Sequence, residues 1–253
     1  MKVDVKEAIL FAISRYDYAY ALKLAERAGS SVQSDLVLLL EALAERRELN
    51  IQSMMNLKLK IAGSDLADFQ LFCHEDEEDE QLVNYLYDLE AKLRNEQLID
   101  FIRAVSPAIY RIFMRLMRMQ IPDIDCYIHN SRGASYDRWK FEKMRHSDNP
   151  DLQNFHAEST VNSSSLTELI LQLHLSESVK ESAQQLRELE KSVRNPLAHL
   201  IKPFDEEELH RTTGFSSQHF MALLVDLAQE TGIVYQREPF YFDRANAVIE
   251  SLL

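Results

Sequence analysis

Glycine and proline are scarce in this chain, at 5 and 6 of 253 residues. So few turn formers disfavour a Rossmann-type sheet, whose phosphate loop needs clustered glycines, and an all-β fold. Cysteine is nearly absent. Cys73 and Cys126 stand apart and outside any CxxC pair, which argues against a zinc site or a disulfide framework. Long apolar runs are missing too. Residues 1–7 contain no signal-peptide core, and stretches such as 36–40 are too short to span a bilayer. The expectation is a reduced, cytoplasmic, soluble protein with no membrane partner. Positive charge is in deficit, and the formal net charge is −13. Such a chain exerts no long-range pull on nucleic acid, so any RNA site has to be a local basic patch.

What the chain does have is helical periodicity almost throughout, with a hydrophobic fraction of 46% that is ample for a core. Ala8, Phe11, Ala12 and Arg15 follow helical spacing, and residues 18–28 read as a second helix stopped by Gly29. Ser34 and Asp35 cap a third helix to about Arg47, and Asn50 caps a fourth to about Gly63. These form an expected N-terminal helical layer over residues 1–75. The acidic run 74–80 reads as a linker or a helix start, since carboxylates favour a helix N-terminus. A metal site is the lesser alternative there, because magnesium is held by one or two placed carboxylates rather than a flexible run. Long helices follow near 80–96 and 97–119. Pro107 should bend the second, and Arg111, Arg115 and Arg118 share one of its faces. They pair with acidic neighbours or form a phosphate-contacting stripe.

Residues 120–165 are less regular. Residues 131–140 are the most basic and aromatic stretch, extended by Lys143, Arg145 and His146. Arg132, Arg138, Trp139 and Lys140 are the candidates for holding single-stranded RNA through phosphate contacts and base stacking. Alternatively, Trp139 and Phe141 belong to the core and the cations are solvated. Residues 162–165 form a polar loop that caps the next helix, near 165–175, and a longer helix follows at about 178–192. Asp205 opens a short helix broken by Gly214, Ser216 caps another to about Glu230, and Asp243 starts the last. The acidic residues around 205–230 argue against a DNA-reading helix-turn-helix, so DNA is not an expected partner. No internal repeat is visible.

The sharpest chemical signal is Arg194-Asn195-Pro196-Leu197-Ala198-His199. Apolar positions Leu186, Leu189, Val193, Leu197 and Leu200 run through it at helical spacing. Asparagine is a strong N-cap and proline suits a first helical turn. The economical reading ends one helix near Ser192 and starts another at Pro196, capped by Asn195. The alternative is one helix that continues with a kink. Either way, Arg194 and His199 are expected within reach of one phosphate. Histidine titrates near neutrality and can take or give a proton. Arginine stays charged and offers phosphate a planar donor fork. Cleaving RNA without metal needs these groups: a base for the 2′-hydroxyl, an acid for the leaving 5′-oxygen, and a cation for the phosphorane. No cofactor and no metal are expected.

This Arg-Asn-x-x-Ala-His string, at the end of a helical bundle, resembles the signature of HEPN-domain ribonucleases. The wider pattern resembles the C-terminal effector half of the Csm6 family, ancillary ribonucleases of type III CRISPR antiviral defence. Looser likenesses lie in Tyr16-Asp17-Tyr18-Ala19-Tyr20-Ala21-Leu22, in Asp100-Phe101-Ile102-Arg103-Ala104-Val105-Ser106-Pro107, and in Thr213-Gly214-Phe215-Ser216. The resemblance implies an all-α multi-helix bundle of HEPN type over residues 76–253, expected to form one compact unit with the N-terminal layer. It also implies an endoribonuclease with Arg194 and His199 as the catalytic pair and Asn195 as an accessory. Two motif copies would meet across a two-fold axis, giving a homodimer joined through 194–199. Family members carry a Rossmann-like sensor that binds cyclic oligoadenylate. No strand–glycine–helix unit is legible here, so the expectation is an effector half, from a split gene or a trimmed chain. Its sensor would lie on a separate or missing chain, and ligand control of this polypeptide is not expected. The competing reading is a non-catalytic helical module, an assembly or antitoxin-like partner; a helical-repeat scaffold is disfavoured by the missing repeats.

Overall fold

The computed structural model describes residues 5–129, 137–199 and 203–253, with backbone alone at 198 and 199. The chain is all-α apart from one two-stranded hairpin among the described residues. It divides into two compact units, one of residues 1–95 and 233–253, the other of residues 96–232. The expectation is one compact unit with an internal boundary at 75/76; the chain instead forms two units, and the division falls later. The acidic run does not separate layers. It opens a helix whose body, through Val83, Leu86, Tyr87 and Leu89, is built into the first unit.

The first unit begins with α1 (Val5–Ser14), α2 (Tyr18–Ala28), α3 (Ser34–Arg47), α4 (Ile51–Ala62) and α5 (Glu77–Arg94). The local signals are mostly caps. Asp17 accepts from the Tyr20 N–H at the start of α2, Asn50 from Ser53 at α4, and Asp76 from Asp79 at α5. Glu77, Glu78, Asp79 and Glu80 then occupy the first turn of α5, where the helix dipole favours negative charge. At α3 the expected cap is corrected. Gln33 takes the extended cap position and makes no side-chain bond, while Ser34 and Asp35 lie inside the helix. Consecutive helices from α1 to α4 pack on one another. The last helix, α14 (Tyr241–Leu252), returns to pack on α1 and α3. In this unit Arg46 is fully buried and pairs with Glu80 at 2.7 Å. Its Nη1 donates to the Leu71 carbonyl, and its guanidinium lies 4.2 Å from the Tyr241 ring centroid. Glu80 also accepts from the Cys73 and His74 N–H groups. A buried ion pair is tolerable only with such additional partners.

The second unit is organised around α6 (Leu98–Gln120), whose buried stripe includes Phe101, Ile102, Val105, Ile109, Phe113 and Met117. Pro107 lies inside this helix, which runs on through it. Arg115 donates to the Thr231 hydroxyl and carbonyl, and Arg118 to Asp125. The arginine stripe is thus partly spent on structure. After α6, the strands β1 (Ile128–His129) and β2 (Arg138–Trp139) pair antiparallel, with Ile128 opposite Trp139. Short helices α7 (Phe141–Arg145) and α8 (Pro150–Gln153) precede α9 (Ser163–Gln172). A reciprocal Asn162–Ser165 capping box opens α9, at the place where the polar loop was expected to cap. Then come α10 (Glu177–Leu189), a π turn (Glu190–Arg194), α11 (Asn195–His199), α12 (Glu206–Thr213) and α13 (Ser217–Glu230). Helix α10 packs on α9 and α13; the π turn packs on α6 and α12. Gly214, at φ +82°, closes α12 in the left-handed conformation that suits a residue without Cβ. Among the described residues, no helix is long and apolar enough to cross a membrane.

Candidate active site

Helix α10 is the support of the motif. Ser176 caps its start, and Leu186, Leu189, Val193 and Leu197 are each 0–1% exposed. This apolar stripe passes through the motif and fastens it to the second unit. Burying each such side chain contributes about 1.5–3 kcal/mol. The polar residues between them are thereby held in place by the core.

The economical reading of the motif is corrected. The helix does not stop near Ser192, and Asn195 is no N-cap. Its φ and ψ are −64° and −47°, fully helical. The chain passes from α10 through the π turn into α11, which is the continuing-helix alternative. Proline explains the change of pitch. Pro196 has no N–H to give the preceding turn, and in an α-turn its ring would strike the carbonyl four residues back. Here the Asn195 N–H reaches the Glu190 carbonyl, five residues back. The extra residue widens the turn just ahead of the proline. Such π turns occur often at functional sites.

Arg194 ends the π turn and is half-buried. Its Nη1 donates to the Asn195 Oδ1 at 3.3 Å, while its Nε is enclosed and has no hydrogen-bond partner among the described residues. Arg194 and Asn195 are therefore brought together. His199 is the last residue of α11 by its backbone; its side chain lies outside the described residues. Two neighbours escaped the sequence reading. Arg103, from α6, donates Nη2 to the Leu197 carbonyl at 3.3 Å and ties the motif helix to α6. Glu190 is 5% exposed, and its Oε2 lies 3.9 Å from Arg187 Nη1 without a hydrogen bond. A buried carboxylate so loosely paired, four residues before Arg194, favours positive charge in this turn. Its signal in the sequence was the i, i+4 spacing to Arg194, which alone is common on helices.

The proposed RNA-holding stretch fares unevenly. Arg132 lies outside the described residues. Arg138 is exposed on β2. Trp139 is corrected to a core residue. It is 5% exposed, its Nε1 donates to Ser165 Oγ, and it meets Phe155 edge-on at 5.4 Å. A ring so enclosed has no free face for a base. Lys140 and Lys143 both donate to the Cys126 carbonyl at 3.3 Å. Among the described residues, no group of three or more His, Cys, Asp or Glu is gathered as a metal set would require.

A groove of mixed polar and apolar lining opens along α10 and the first residues of the π turn, within the second unit. Its volume is about 610 Å3, and its walls include Thr167, Gln184, Gln185, Lys191 and Phe215. It shares Arg187, Glu188 and Lys191 with the turns that lead into Arg194.

The comparisons agree with this architecture. The Cas_Csm6 HEPN-domain model matches residues 71–250. Among solved structures, Enterococcus italicus Csm6 bound to cyclic hexa-2′-fluoro-hexa-dAMP superposes with a TM-score of 0.72 at 13% identity, over 98% of this chain. The chain spans 57% of the length of that protein, and at this identity the likeness speaks for the fold. No curated protein matches. The family match takes in more than half of the residues and the whole of the 194–199 motif, and the chain belongs to the Cas_Csm6 HEPN-domain family.

Proposed function

We propose that this protein is a metal-independent endoribonuclease that cleaves single-stranded RNA in type III CRISPR antiviral defence. The observation that carries the proposal is the placement of Arg194. Its guanidinium stands at the end of a π turn anchored by Val193 and Leu197, and among the described residues its hydrogen bond is to Asn195, not to a carboxylate. A structural arginine is ordinarily spent on an acid; on this reading Arg194 is kept for the phosphate. In the proposed step the 2′-oxygen attacks phosphorus as a base removes its proton. The P–O5′ bond breaks as an acid protonates the leaving oxygen. The products are a 2′,3′-cyclic phosphate and a 5′-hydroxyl. Arg194 stabilises the charge on the phosphorane, Asn195 orients Arg194, and His199 performs a proton transfer. DNA, lacking the 2′-hydroxyl, is no substrate.

The test is cleavage of a labelled single-stranded RNA by the wild type and by His199→Ala, with and without EDTA. The expected result is cyclic-phosphate product, unaffected by EDTA and lost in the variant. A strict magnesium requirement overturns the mechanism. Equal activity of the variant overturns the site and favours the non-catalytic module.

A further inference from the structure

The groove along α10 has the makings of a base-binding site. Phe215 lines it, and one side of that ring is covered by His219, at 4.3 Å between centroids and 12° between planes. His219 is fixed in turn by a 2.7 Å hydrogen bond to Gln185 Oε1. Phe220 meets Phe215 edge-on at 6.0 Å. The aromatic wall is therefore held before any ligand arrives. Engaging Gln185 through its oxygen leaves its amide NH2 as a donor, and the amide of Gln184 stands next to it on the same wall. Lys191 is exposed at the same groove. Arg187 and Lys191 stand on the same lining as Glu168 and Glu188, so the groove is charge-balanced rather than basic, and the aromatic platform and amide edge that hold single-stranded nucleic acid carry the fit.

We propose that this groove seats the base of one nucleotide of the RNA strand next to the scissile phosphate. The proposal rests on the ribonuclease reading for its substrate. The base stacks on Phe215, its edge meets the amides of Gln184 and Gln185, and Lys191 contacts the phosphate. The position follows from the helix. Lys191, on the groove wall, and Arg194, at the proposed site, belong to the same π turn, three residues apart. The groove is thus the specificity subsite of the proposed enzyme.

The test uses a short, fully 2′-O-methylated, fluorescent oligoribonucleotide, which cannot be cleaved, and reads binding by anisotropy on the full chain. Phe215→Leu keeps an apolar side chain in the wall and removes the stacking face; Lys191→Gln is a surface change that leaves the packing intact. Stacking losses predict affinity weaker by roughly 5- to 100-fold for Phe215→Leu, and Lys191→Gln should lower the salt dependence of binding. An abasic residue at one position of the oligonucleotide should weaken wild-type binding similarly and add nothing in Phe215→Leu. No binding by the wild type, or independent additive losses, overturns the groove. Cleavage by the wild type without these losses would leave the ribonuclease reading standing alone. Binding with these losses, but no cleavage of unmodified RNA, would do the reverse.

Discussion

Two buried or half-buried arginines show how the same side chain is used in opposite ways. Arg46 is enclosed completely and given a carboxylate, a carbonyl and a ring. Removing its acid leaves a buried charge unpaired. Glu80→Gln should cost about 3–5 kcal/mol of stability, seen as a lower urea midpoint, and a change under about 1 kcal/mol would contradict this account. Arg194, by contrast, bonds to its own neighbour Asn195 among the described residues, and its proposed role is to hold a phosphate. Arg194→Ala and His199→Ala should each reduce RNA cleavage by about 10²–10⁴-fold, with circular dichroism unchanged. Arg194→Lys should recover little, because an ammonium cannot reproduce the planar fork. Activity retained in the double variant would place the chemistry elsewhere.

At the scale of the element, the π turn is the unusual feature. Its cause is Pro196, and its effect is to rotate Arg194 relative to the residues of α11. Pro196→Ala restores an N–H and permits an ordinary α-turn. The helix should then be more stable, by up to about 3 kcal/mol on helix propensity. Cleavage should fall, because Arg194 moves around the helix axis relative to His199. A raised melting temperature with at least tenfold lower activity is the expected pair of results. Unchanged activity would show that the wide turn is only an accommodation of the proline. Arg103 belongs to the same argument. Its bond to the Leu197 carbonyl couples α6 to the motif, so this segment is positioned by a helix remote in sequence.

At the scale of the molecule, the first unit carries a cluster of buried tyrosines. Burial and the hydrogen bond to Asp243 push Tyr16 up to about 12, and burial does the same for Tyr241. Both hydroxyls ionise near 10.0 when exposed. The folded state therefore favours the neutral form. Its contribution is intact below pH 10 and is lost as pH rises toward and through 12. Urea midpoints should fall over that window, and Tyr16→Phe should blunt the fall. A midpoint flat up to about pH 12 would sink this prediction. The proposed homodimer belongs to this scale as well. One Arg–His pair hardly supplies base, acid and cation, whereas two motif copies facing across a two-fold axis supply all three. Light scattering should report a dimer at micromolar concentration, and a monomer throughout would count against a shared site.

Much of this was legible in the sequence because helices are local objects. Periodicity placed α2, α4 and α6 within a few residues. The caps at Asn50, Asp205 and Ser216 were readable because each bonds an N–H only three positions on. The Arg194-to-His199 string was readable for the same reason of short range. Three matters belonged to tertiary structure. Whether Trp139 faces solvent or core depends on Phe155 and Ser165, which no local pattern joins to it. Whether the motif helix breaks at Asn195 was a balance between a good local cap and a buried stripe; the burial of Val193 and Leu197 carried it through. The groove exists only where Phe215 and His219 meet Gln185, some thirty residues apart. The sequence determined which segments are helical and which residues have the chemistry for RNA, because those depend on neighbours a turn away. Tertiary packing alone decided which of those residues are free to meet a ligand, because burial is a property of the surroundings and not of the residue.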